Sequence, residues 1–284
     1  MKVFFDCLPC LLRQALEAAR MVTNNRDLQA VIMEEAIKII TEYKKYNCSP
    51  EIAKDIHRII KESTGDPDPY DAIKRYDIKK AKEIYPLLKE FLYKKNDKLY
   101  WALKIAATGN IIDSAIYGKT DFDKILKNEI EKEFGISDIE ILKKKLESSK
   151  NILFIGDNAG ETVFDRVLIE YLESFEVTYA VRSEPIINDV TLKDAYDSGL
   201  SSCSNIMNSG SSAPGAIPDQ CNSEFLDLLE KSDIVIAKGQ GNFEALSDYS
   251  IPVFFLLKAK CPMIACRLNI DIDSYAFKYN GMEL

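Results

Sequence analysis

Four polar segments in the second half of this 284-residue chain have the residue types needed for metal and phosphate chemistry. Each follows a short apolar run that reads as a buried strand. Because the carboxyl ends of parallel strands meet at one edge of a sheet, we expect the four segments to converge there. The apolar runs span 151–156, 177–181, 234–237 and 252–257, and the polar segments that follow span 156–161, with Gly156 shared, 182–191, 238–244 and 258–260.

Oxygen-bearing side chains dominate the first two of these segments. Asp157, Asn158 and Asp189 offer carboxylate and amide oxygens and no soft ligand. Such a set suits Mg²⁺ or Mn²⁺ and also accepts Co²⁺ or Ni²⁺, whereas a structural zinc site needs sulfur or nitrogen. Taken alone, Asp157 and Asn158 could equally be the turn and N-cap of the next helix. The sequence predicts a divalent metal site only if Asp189 joins them.

The other two segments have features of an anion site. Gly239 and Gly241 flank a turn directly after a strand, where backbone N–H groups could hold a phosphate. Lys238 and Lys258 each leave the end of an apolar strand, so we expect them to bind an anion or to pair with a nearby carboxylate. The spacing matches neither the dinucleotide-binding fingerprint nor the P-loop.

Histidine and cysteine chemistry is limited in this chain. The single histidine, His57, lies off the apolar stripe of an amphipathic helix, which predicts a surface position. One histidine excludes a histidine-rich zinc site and disfavours a Ser-His-Asp triad. Cys7 and Cys10 form a Cys-x-x-Cys pair, which could be redox-active, half of a zinc site, or simply buried on the first helix.

Composition narrows the possible partners. Apolar residues make up 46% of the chain and charged residues 29%, and the net charge is −8. These values predict a folded protein that binds neither nucleic acid nor an anionic membrane, because both need a basic surface. No apolar run approaches the ~20 residues of a membrane span, and no signal-peptide cleavage site follows the start. We therefore expect a cytoplasmic protein.

Two kinds of pattern divide the chain near residue 150. Helical spacing of apolar residues predicts helices at 6–22, 28–46, from Ser49 as N-cap, 78–95, 97–108 and 122–134, and a capping box at 137–140 predicts another. No strand is predicted before residue 150. After it, strands alternate with helices, including one at 223–231, and this predicts a mainly parallel sheet. We expect an all-helical domain at 1–149 packed on a Rossmann-like α/β/α domain at 150–284, with the site in the second.

Several motifs together resemble one known family. The sequence reads Gly-Asp-Asn-Ala-Gly-Glu at 156–161, Pro-Ile-Ile-Asn-Asp-Val-Thr at 185–191, Lys-Gly-Gln-Gly-Asn-Phe-Glu at 238–244 and Gly-Asn-Ile-Ile-Asp at 109–113. In these motifs the whole chain resembles the metal-dependent damage-control phosphatases, known as domain of unknown function 89. The pair Cys7 and Cys10 resembles the variant of that family with an N-terminal cysteine pair.

The resemblance implies a role for individual residues. A divalent metal would be held by Asp157, Asn158 and Asp189, and phosphate would be hydrolysed from small, damaged or surplus phosphometabolites such as sugar phosphates. Lys238, the amides of Gly239 and Gly241, and Lys258 would neutralise the phosphoryl oxygens. Asn110 and Asp113 would hold the organic part of the substrate, and Glu161, Arg182 and Asn188 complete the expected phosphate and substrate site. Ser183 and Glu184 stand where the family commonly has glycine after the arginine, and Glu184 could narrow substrate choice or point away.

Two other functions fit some of the same residues. A Gly-Asp-x-x-Gly loop after a first strand could face the nucleoside of S-adenosylmethionine in a carboxyl methyltransferase. Arg182, however, stands where an acidic residue would bind the ribose hydroxyls. A metal-loaded scaffold without catalysis is the other alternative. For the phosphatase, attack by water is expected, because the segment after the first strand lacks the Asp-x-Asp of phosphatases that use a carboxylate nucleophile.

Overall fold

The structure, a computed structural model, describes residues 1–109 and 128–281. Strands and helices alternate from residue 134 onwards. None of the helices in the described ranges is both long and apolar enough to cross a membrane. The helices are α1 (Cys7–Val22), α2 (Arg26–Thr41), α3 (Ser49–Thr64), α4 (Asp71–Tyr93), α5 (Lys98–Thr108), α6 (Ile139–Leu146), α7 (Thr162–Tyr171), α8 (Leu192–Ser198), α9 (Ser223–Lys231), α10 (Gly239–Leu246) and α11 (Pro262–Leu268). The strands are β1 (Phe134–Ser137), β2 (Asn151–Ile155), β3 (Glu176–Val181), β4 (Asn205–Asn208), β5 (Ile234–Lys238), β6 (Phe254–Lys258) and β7 (Tyr275–Tyr279).

The seven strands form one sheet in the order β1-β7-β6-β5-β2-β3-β4. All neighbours are parallel except β6 and β7, which are antiparallel. The order β4-β3-β2-β5-β6 is that of a doubly wound sheet. Strands β2, β3 and β4 are added toward one edge of the sheet, and β5 and β6 are added toward the other edge, so the order reverses between β2 and β5. A crevice opens at such a switch point, outside the carboxyl ends of the two strands. The fold is therefore a helical N-terminal region with a mostly parallel α/β sheet, as the sequence predicts.

Each central strand sends alternate side chains to opposite faces of the sheet, as strand geometry requires. On β2, Phe154 joins the core on one face and Leu153 joins the core on the other, and both are fully buried. The first core also receives α4, α5 and α7, and the second receives α9, α10 and α11. Both faces of the sheet are covered, which explains why its central strands read as continuous apolar runs.

The helical region contacts the sheet and its covering helices at several places. Helices α1, α2 and α3 share a separate apolar core, and α3 also contacts α10. Helix α5 packs along α7, and α4 presses on the loop after β2 so closely that a Cβ at Gly160 would lie 2.9 Å from Cβ of Asp77. The helices therefore help to shape the edge of the sheet where the polar segments lie.

Several sequence-based boundaries were wrong. Strand β1 lies before residue 150, and β7 follows the strand that was expected to be last. Ser137 ends β1 and caps nothing, and α6 has no side-chain cap at Asp138. The short edge strands β1 and β4 are half exposed, so they lack the continuous apolar run of a central strand. The domain boundary at residue 149 stays a prediction, although β1 already belongs to the sheet.

Two helix starts also differ from expectation. Helix α4 begins at Asp71, seven residues before the predicted 78. The earlier start was missed because the buried positions of the first turns hold the charged residues Lys74 and Asp77. Charged residues at buried positions hide the apolar period. Helix α3 begins at Ser49 with Cys48 as N-cap, so the Ser49 hydroxyl does not cap it. Part of the helix predicted at 122–134 lies outside the described residues, and Phe134 belongs to β1.

Candidate active site

A cavity of about 250 Å³ opens at the switch point of the sheet, between the ends of β2 and β5. Its size suits a small metabolite, since pockets for larger ligands run to several hundred Å³. The segments predicted to converge all contribute to it. The walls include Asp157, Asn158, Glu161, Asn188, Asp189, Lys238, Gly239, Gly241, Lys258 and Lys260 from the sheet side, and Leu11, Gln14, Ser49, Pro50 and Ala53 from the helical side.

Backbone hydrogen bonds fix the two acidic loops side by side. The N–H of Val190 donates to the carbonyl of Asp157 at 2.8 Å, and the N–H of Ala159 donates to the carbonyl of Asn188 at 2.8 Å. Asn158 and Asp189 pair between these bonds as an antiparallel bridge. The loops after β2 and β3 therefore form a rigid two-stranded edge that brings the three predicted metal ligands together.

Asp157 lies in an acidic part of the cavity, close to Glu161 and Asp189. Its side chain is 13% exposed and lies against Gly239, whose φ of +78° is in the region that favours glycine. Burial, followed by the charges of Glu161 and Asp189, raises the pKa of Asp157 well above its ordinary value. Arg182 and Lys260 act in the opposite direction. An additional positive charge near Asp157 would therefore be strongly favoured.

Arg182 lies behind the two carboxylates and does not line the cavity. It is fully buried, its Nε donates to Oδ2 of Asp189 at 2.8 Å, and its Nη2 is 3.9 Å from Oδ1 of Asp157. Both terminal nitrogens of Arg182 lack a hydrogen-bond partner in the described part of the chain. Burial raises the pKa of Asp189 to about 6, although Arg182 acts to lower it. The guanidinium thus stabilises Asp189 from inside the fold.

A second buried network orients Asn158. Its Nδ2 donates to Oε1 of Glu161 at 2.8 Å, which leaves the amide oxygen to coordinate or accept. Oε2 of Glu161 accepts from Lys238 at 2.9 Å. Lys238 also donates to Oδ1 of Asp165 at 2.5 Å and to the carbonyl of Ala106 at 2.8 Å. Its three protons are therefore used within the protein.

The charge of Lys238 is maintained by its partners. Burial acts to lower the pKa of Lys238, but Asp165 and Glu161 outweigh burial and raise it above the ordinary value. Burial raises the pKa of Asp165 to about 6. Sequence reasoning placed Lys238 on the phosphate, and its phosphate role stays a prediction. In the structure its contacts are those of a buried counterion for Glu161 and Asp165.

Two other lysines reach the cavity from the end of β6. Lys258 is 3.2 Å from Glu129 and 3.7 Å from Asp273, so its charge is shared with acidic partners. Lys260 is exposed, lines the cavity and lowers the pKa of Asp157. Sequence reasoning did not assign Lys260 a role. Its position two residues after Lys258, in the same polar segment, was the sequence signal that could have indicated a place in the site.

The glycines of α10 approach two different groups. Gly239 faces Asp157, whereas a Cβ at Gly241 would lie 1.8 Å from the carbonyl oxygen of Pro214. The serine- and glycine-rich stretch around Pro214 is therefore packed against α10. Ser211 donates to the carbonyl of Gly215 at 2.7 Å, and Oδ1 of Asn242 accepts from the N–H of Ala216 at 2.8 Å. Of the two glycines, Gly239 is the one that lies beside the predicted metal ligands.

The loop before Asp189 carries backbone strain. Ile187 has a φ of +46°, an outlier for a β-branched residue, and it lines the cavity. Lys61 of α3 holds the loop by donating to the carbonyl of Pro185 at 3.0 Å. The side chain of Glu184 is 66% exposed and lies 3.8 Å from Lys61, outside the cavity. Of the two sequence-based readings for Glu184, the structure supports the one in which it points away.

His57 and Cys10 differ from their expected surroundings. His57 was predicted at the surface, but it is 5% exposed and packs against Tyr70 with tilted rings whose centroids are 5.9 Å apart. It lines a small cavity together with Ile187. Cys10 is exposed and Cys7 is half-buried, so the pair is not simply buried on the first helix. Asn110 and Asp113, predicted to hold the substrate, lie outside the described residues.

The donor set fits a hard divalent cation. In the described ranges, no three Asp, Glu, His or Cys side chains form a metal-binding group on their own. The predicted set contains two carboxylates and the Asn158 amide, so water or substrate oxygens would complete the coordination. Mg²⁺ is commonly bound in this way, through one or two carboxylates and substrate phosphate. The mutual repulsion of Asp157, Glu161 and Asp189 gives the cation a further electrostatic reason to bind.

The chain is similar to known proteins over nearly its whole length. Residues 3–274 match the family model of the damage-control phosphatase ARMT1-like domain. A damage-control phosphatase of Pyrococcus horikoshii is 33% identical, with 100% of both chains covered. A damage-control phosphatase of Archaeoglobus fulgidus is 32% identical, with 98% of this chain and 99% of that protein covered. The crystal structure of a DUF89 family protein from Pyrococcus horikoshii superimposes with a TM-score of 0.92 at 31% identity, covering 99% of each chain.

Proposed function

The chain belongs to the damage-control phosphatase ARMT1-like family, and from this we propose that it is a phosphatase that depends on a divalent metal and hydrolyses small phosphorylated metabolites. Its homologues support the phosphatase activity itself. The metal, the substrate and the residue roles are the proposal. The observation that carries it is the meeting of Asp157, Asn158 and Asp189 beside Gly239 in one cavity at the switch point of the sheet.

Asp157, Asp189 and the amide oxygen of Asn158 would hold the metal. A divalent ion of the Mn²⁺, Mg²⁺, Co²⁺ or Ni²⁺ type supplies positive charge to the phosphoryl oxygens and acidifies a water molecule. Arg182 holds Asp189 in place through its 2.8 Å hydrogen bond. Glu161 fixes the orientation of the Asn158 amide. The protein thus presets its three oxygen donors before any ligand arrives.

The phosphate would lie over the first turn of α10. Backbone N–H groups from Gly239 to Gly241 point out of a helix N-terminus, which favours anions. Lys260 adds a side-chain positive charge at the same cavity. Charge that develops on the phosphoryl oxygens in the transition state would be stabilised by these fixed donors. Attack by water remains the proposed route.

The structure gives a reason to disfavour the methyltransferase alternative. A nucleoside cofactor in this type of sheet usually has its ribose hydroxyls bound by an acidic residue at the end of the second strand. Here that position holds Arg182, which is fully buried and engaged with Asp189. A metal-loaded scaffold without catalysis would use the same carboxylates to hold a metal but would release no phosphate, so turnover separates it from the phosphatase.

Phosphate release from a panel of esters tests the proposal. The metal-stripped chain is assayed with p-nitrophenyl phosphate, glucose 6-phosphate and glycerol 3-phosphate, and Mg²⁺, Mn²⁺, Co²⁺ or Ni²⁺ is restored one at a time. We expect release only after a metal is restored. Full activity of the stripped chain, or no release with any metal from folded protein, would refute the proposal.

A further inference from the structure

The cavity has polar residues that the proposed phosphate and metal chemistry does not use. Gln240 and Glu244 lie one turn apart on the same face of α10, and Gln14 of α1 and Ser49 of α3 line the cavity as well. Glu244 lies five residues beyond Gly239, which places it ~7.5 Å further along the helix axis. Glu244 therefore lines a part of the cavity away from the predicted phosphate position.

Two buried polar atoms in this part lack ordinary hydrogen bonds. In the described part of the chain, neither Oε2 of Glu244 nor Oγ of Ser49 has a hydrogen-bond partner. The two groups lie close enough that Ser49 acts to lower the pKa of Glu244, although burial dominates and raises that pKa to about 7. Buried polar atoms are almost always fully paired, so two such atoms beside one cavity call for a further partner that the described residues do not supply.

The start of α3 explains why the Ser49 hydroxyl is available. Serine at the start of a helix usually caps it by accepting a backbone N–H. Here Cys48 is the N-cap and Ser49 is already helical, so its hydroxyl makes no cap hydrogen bond. The hydroxyl lines the cavity instead. A serine that does not cap its helix thus meets a glutamate that forms no ion pair within the described ranges, although the N-terminal ammonium group acts to lower the pKa of that glutamate.

We propose that Glu244 and Ser49 are specificity-determining residues that bind a hydroxyl group on the organic part of the substrate. A carboxylate accepts a hydrogen bond from a hydroxyl, and serine can donate or accept, so together they satisfy both sides of an alcohol. The side-chain amide of Gln14, which also lines the cavity, supports this interpretation. Gln14 donates to Sγ of Cys10 at 3.5 Å, a weak acceptor that a ligand oxygen would replace.

The spacing suits a phosphate ester of a hydroxylated carbon chain. One end of such a ligand would lie at the N-terminus of α10, and its hydroxyl would reach Glu244 further along the same helix. An ester without hydroxyl groups would leave both polar atoms desolvated and unpaired. The loss of a hydrogen bond to a charged group costs about 1.5–3 kcal/mol, which corresponds to a preference of ~10- to 100-fold. This inference rests on the proposed function, which places the phosphate group of the substrate at the N-terminus of α10.

Binding of two sulfate esters tests the inference without requiring turnover. Glucose 6-sulfate and methyl sulfate share the charged group and differ in hydroxyl groups, and neither is a phosphate ester. Calorimetry gives their Kd values for the wild type, Glu244→Ala, Ser49→Ala and Glu230→Ala. Glu230 is an exposed glutamate on α9 outside the cavity lining, and it serves as the matched control. Circular dichroism and Tm verify that each variant is folded.

We expect the wild type and Glu230→Ala to bind glucose 6-sulfate at least tenfold more tightly than methyl sulfate. That ratio should fall toward one in Glu244→Ala and decrease in Ser49→Ala. Equal or undetectable binding of the two esters by the wild type, or a ratio that survives both substitutions, would overturn the inference. An intact ratio in a chain that releases no phosphate with any metal would contradict the proposed function alone.

Discussion

A Cβ atom at position 239 would lie 1.9 Å from Oδ2 of Asp157, so the first residue of α10 and the carboxylate after β2 are in direct contact. Only glycine leaves room for the carboxylate there. The contact joins two residues 82 positions apart, each at the end of a central strand. It therefore fixes Asp157 relative to the helix N-terminus that would bind phosphate.

We expect Gly239→Ala to lower kcat by at least ~100-fold, because the new methyl group must displace Asp157 from the proposed metal site. The positive φ adds a stability cost of about 1 kcal/mol. Gly65→Ala is the matched control, since Gly65 has a φ of +70° and nothing within 4 Å of its Cβ position. It should show the stability cost and keep its activity. Similar activity in both variants would contradict the role of the contact.

Lys238→Met should reduce the free energy of unfolding by about 3–5 kcal/mol, because it leaves Glu161 and Asp165 buried without their counterion. Urea unfolding measures this change. Lys231→Met is the control, because Lys231 forms a 2.8 Å pair with Asp227 on the surface, and it should change stability by less than ~0.5 kcal/mol. A Lys238 variant of normal stability and no activity would instead favour a direct role in binding phosphate.

Lys260→Ala should lower kcat/KM by ~10-fold or more, because it removes a charge-assisted contact to the phosphate. Because Lys260 is exposed, we expect the Tm of the Lys260→Ala variant to stay within a few degrees of that of the wild type. Lys231→Ala controls for the loss of one positive charge, because Lys231 is an exposed residue at the end of α9 and is not part of the cavity lining. An unchanged kcat/KM in Lys260→Ala would exclude Lys260 from the site.

His57 should remain neutral at pH values where exposed histidines are charged. Burial, followed by the charge of Lys61, lowers the pKa of His57 to about 4. The chain has one histidine, so its ring resonances in an NMR titration are unambiguous. A midpoint near 6.5 would contradict the buried position found in the structure.

The same shift predicts a loss of stability in acid. Between about pH 6.5 and pH 4 the unfolded histidine binds a proton that the folded one does not, so stability falls as pH decreases, by up to about 3 kcal/mol. Asp165 and Asp189, whose pKa values are raised to about 6, act in the opposite direction, since stability from them is lost as pH rises. The histidine contribution should therefore be measured as the difference in slope between the wild type and His57→Gln.

The sequence was sufficient to predict that three acidic and amide side chains meet at one edge of the sheet, for a physical reason. Asp157, Asn158 and Asp189 follow central strands whose apolar runs are unmistakable, and parallel topology brings their ends together. Helix α9 was predicted with its observed bounds, Ser223–Lys231, because an Asn N-cap and a clear apolar stripe define it. Where local chemistry and global topology agree, a single sequence is informative.

The compensating charges could not be predicted from the sequence. Lys238 is buried with its charge compensated by Glu161, the N-cap of α7, and by Asp165 of α7. Arg182 is hidden because the loop carrying Asp189 folds back over it. Such pairings depend on contacts between distant segments, and no local pattern encodes them.

The helical wall of the cavity was missed for a similar reason. Apolar periodicity shows which face of α1 or α3 is buried, but it does not show which element covers that face. Ser49 and Gln14 therefore gave no signal of facing a cavity formed mainly by the sheet. Strand β7, by contrast, is rich in aromatic residues and has four of its five residues buried. Its apolar run could have predicted a strand, but no further strand was expected after 252–257.

Bound metal and phosphate release, measured on the same samples, test the central claim most directly. The metal-stripped wild type, Asp157→Asn and Asp189→Asn would be titrated with Mn²⁺, with bound metal counted by elemental analysis and phosphate release followed from p-nitrophenyl phosphate. We predict that metal content and activity rise together in the wild type and that both are lost in the two folded variants. Phosphate release by the metal-free wild type, or normal metal binding and activity in both variants, would contradict the account.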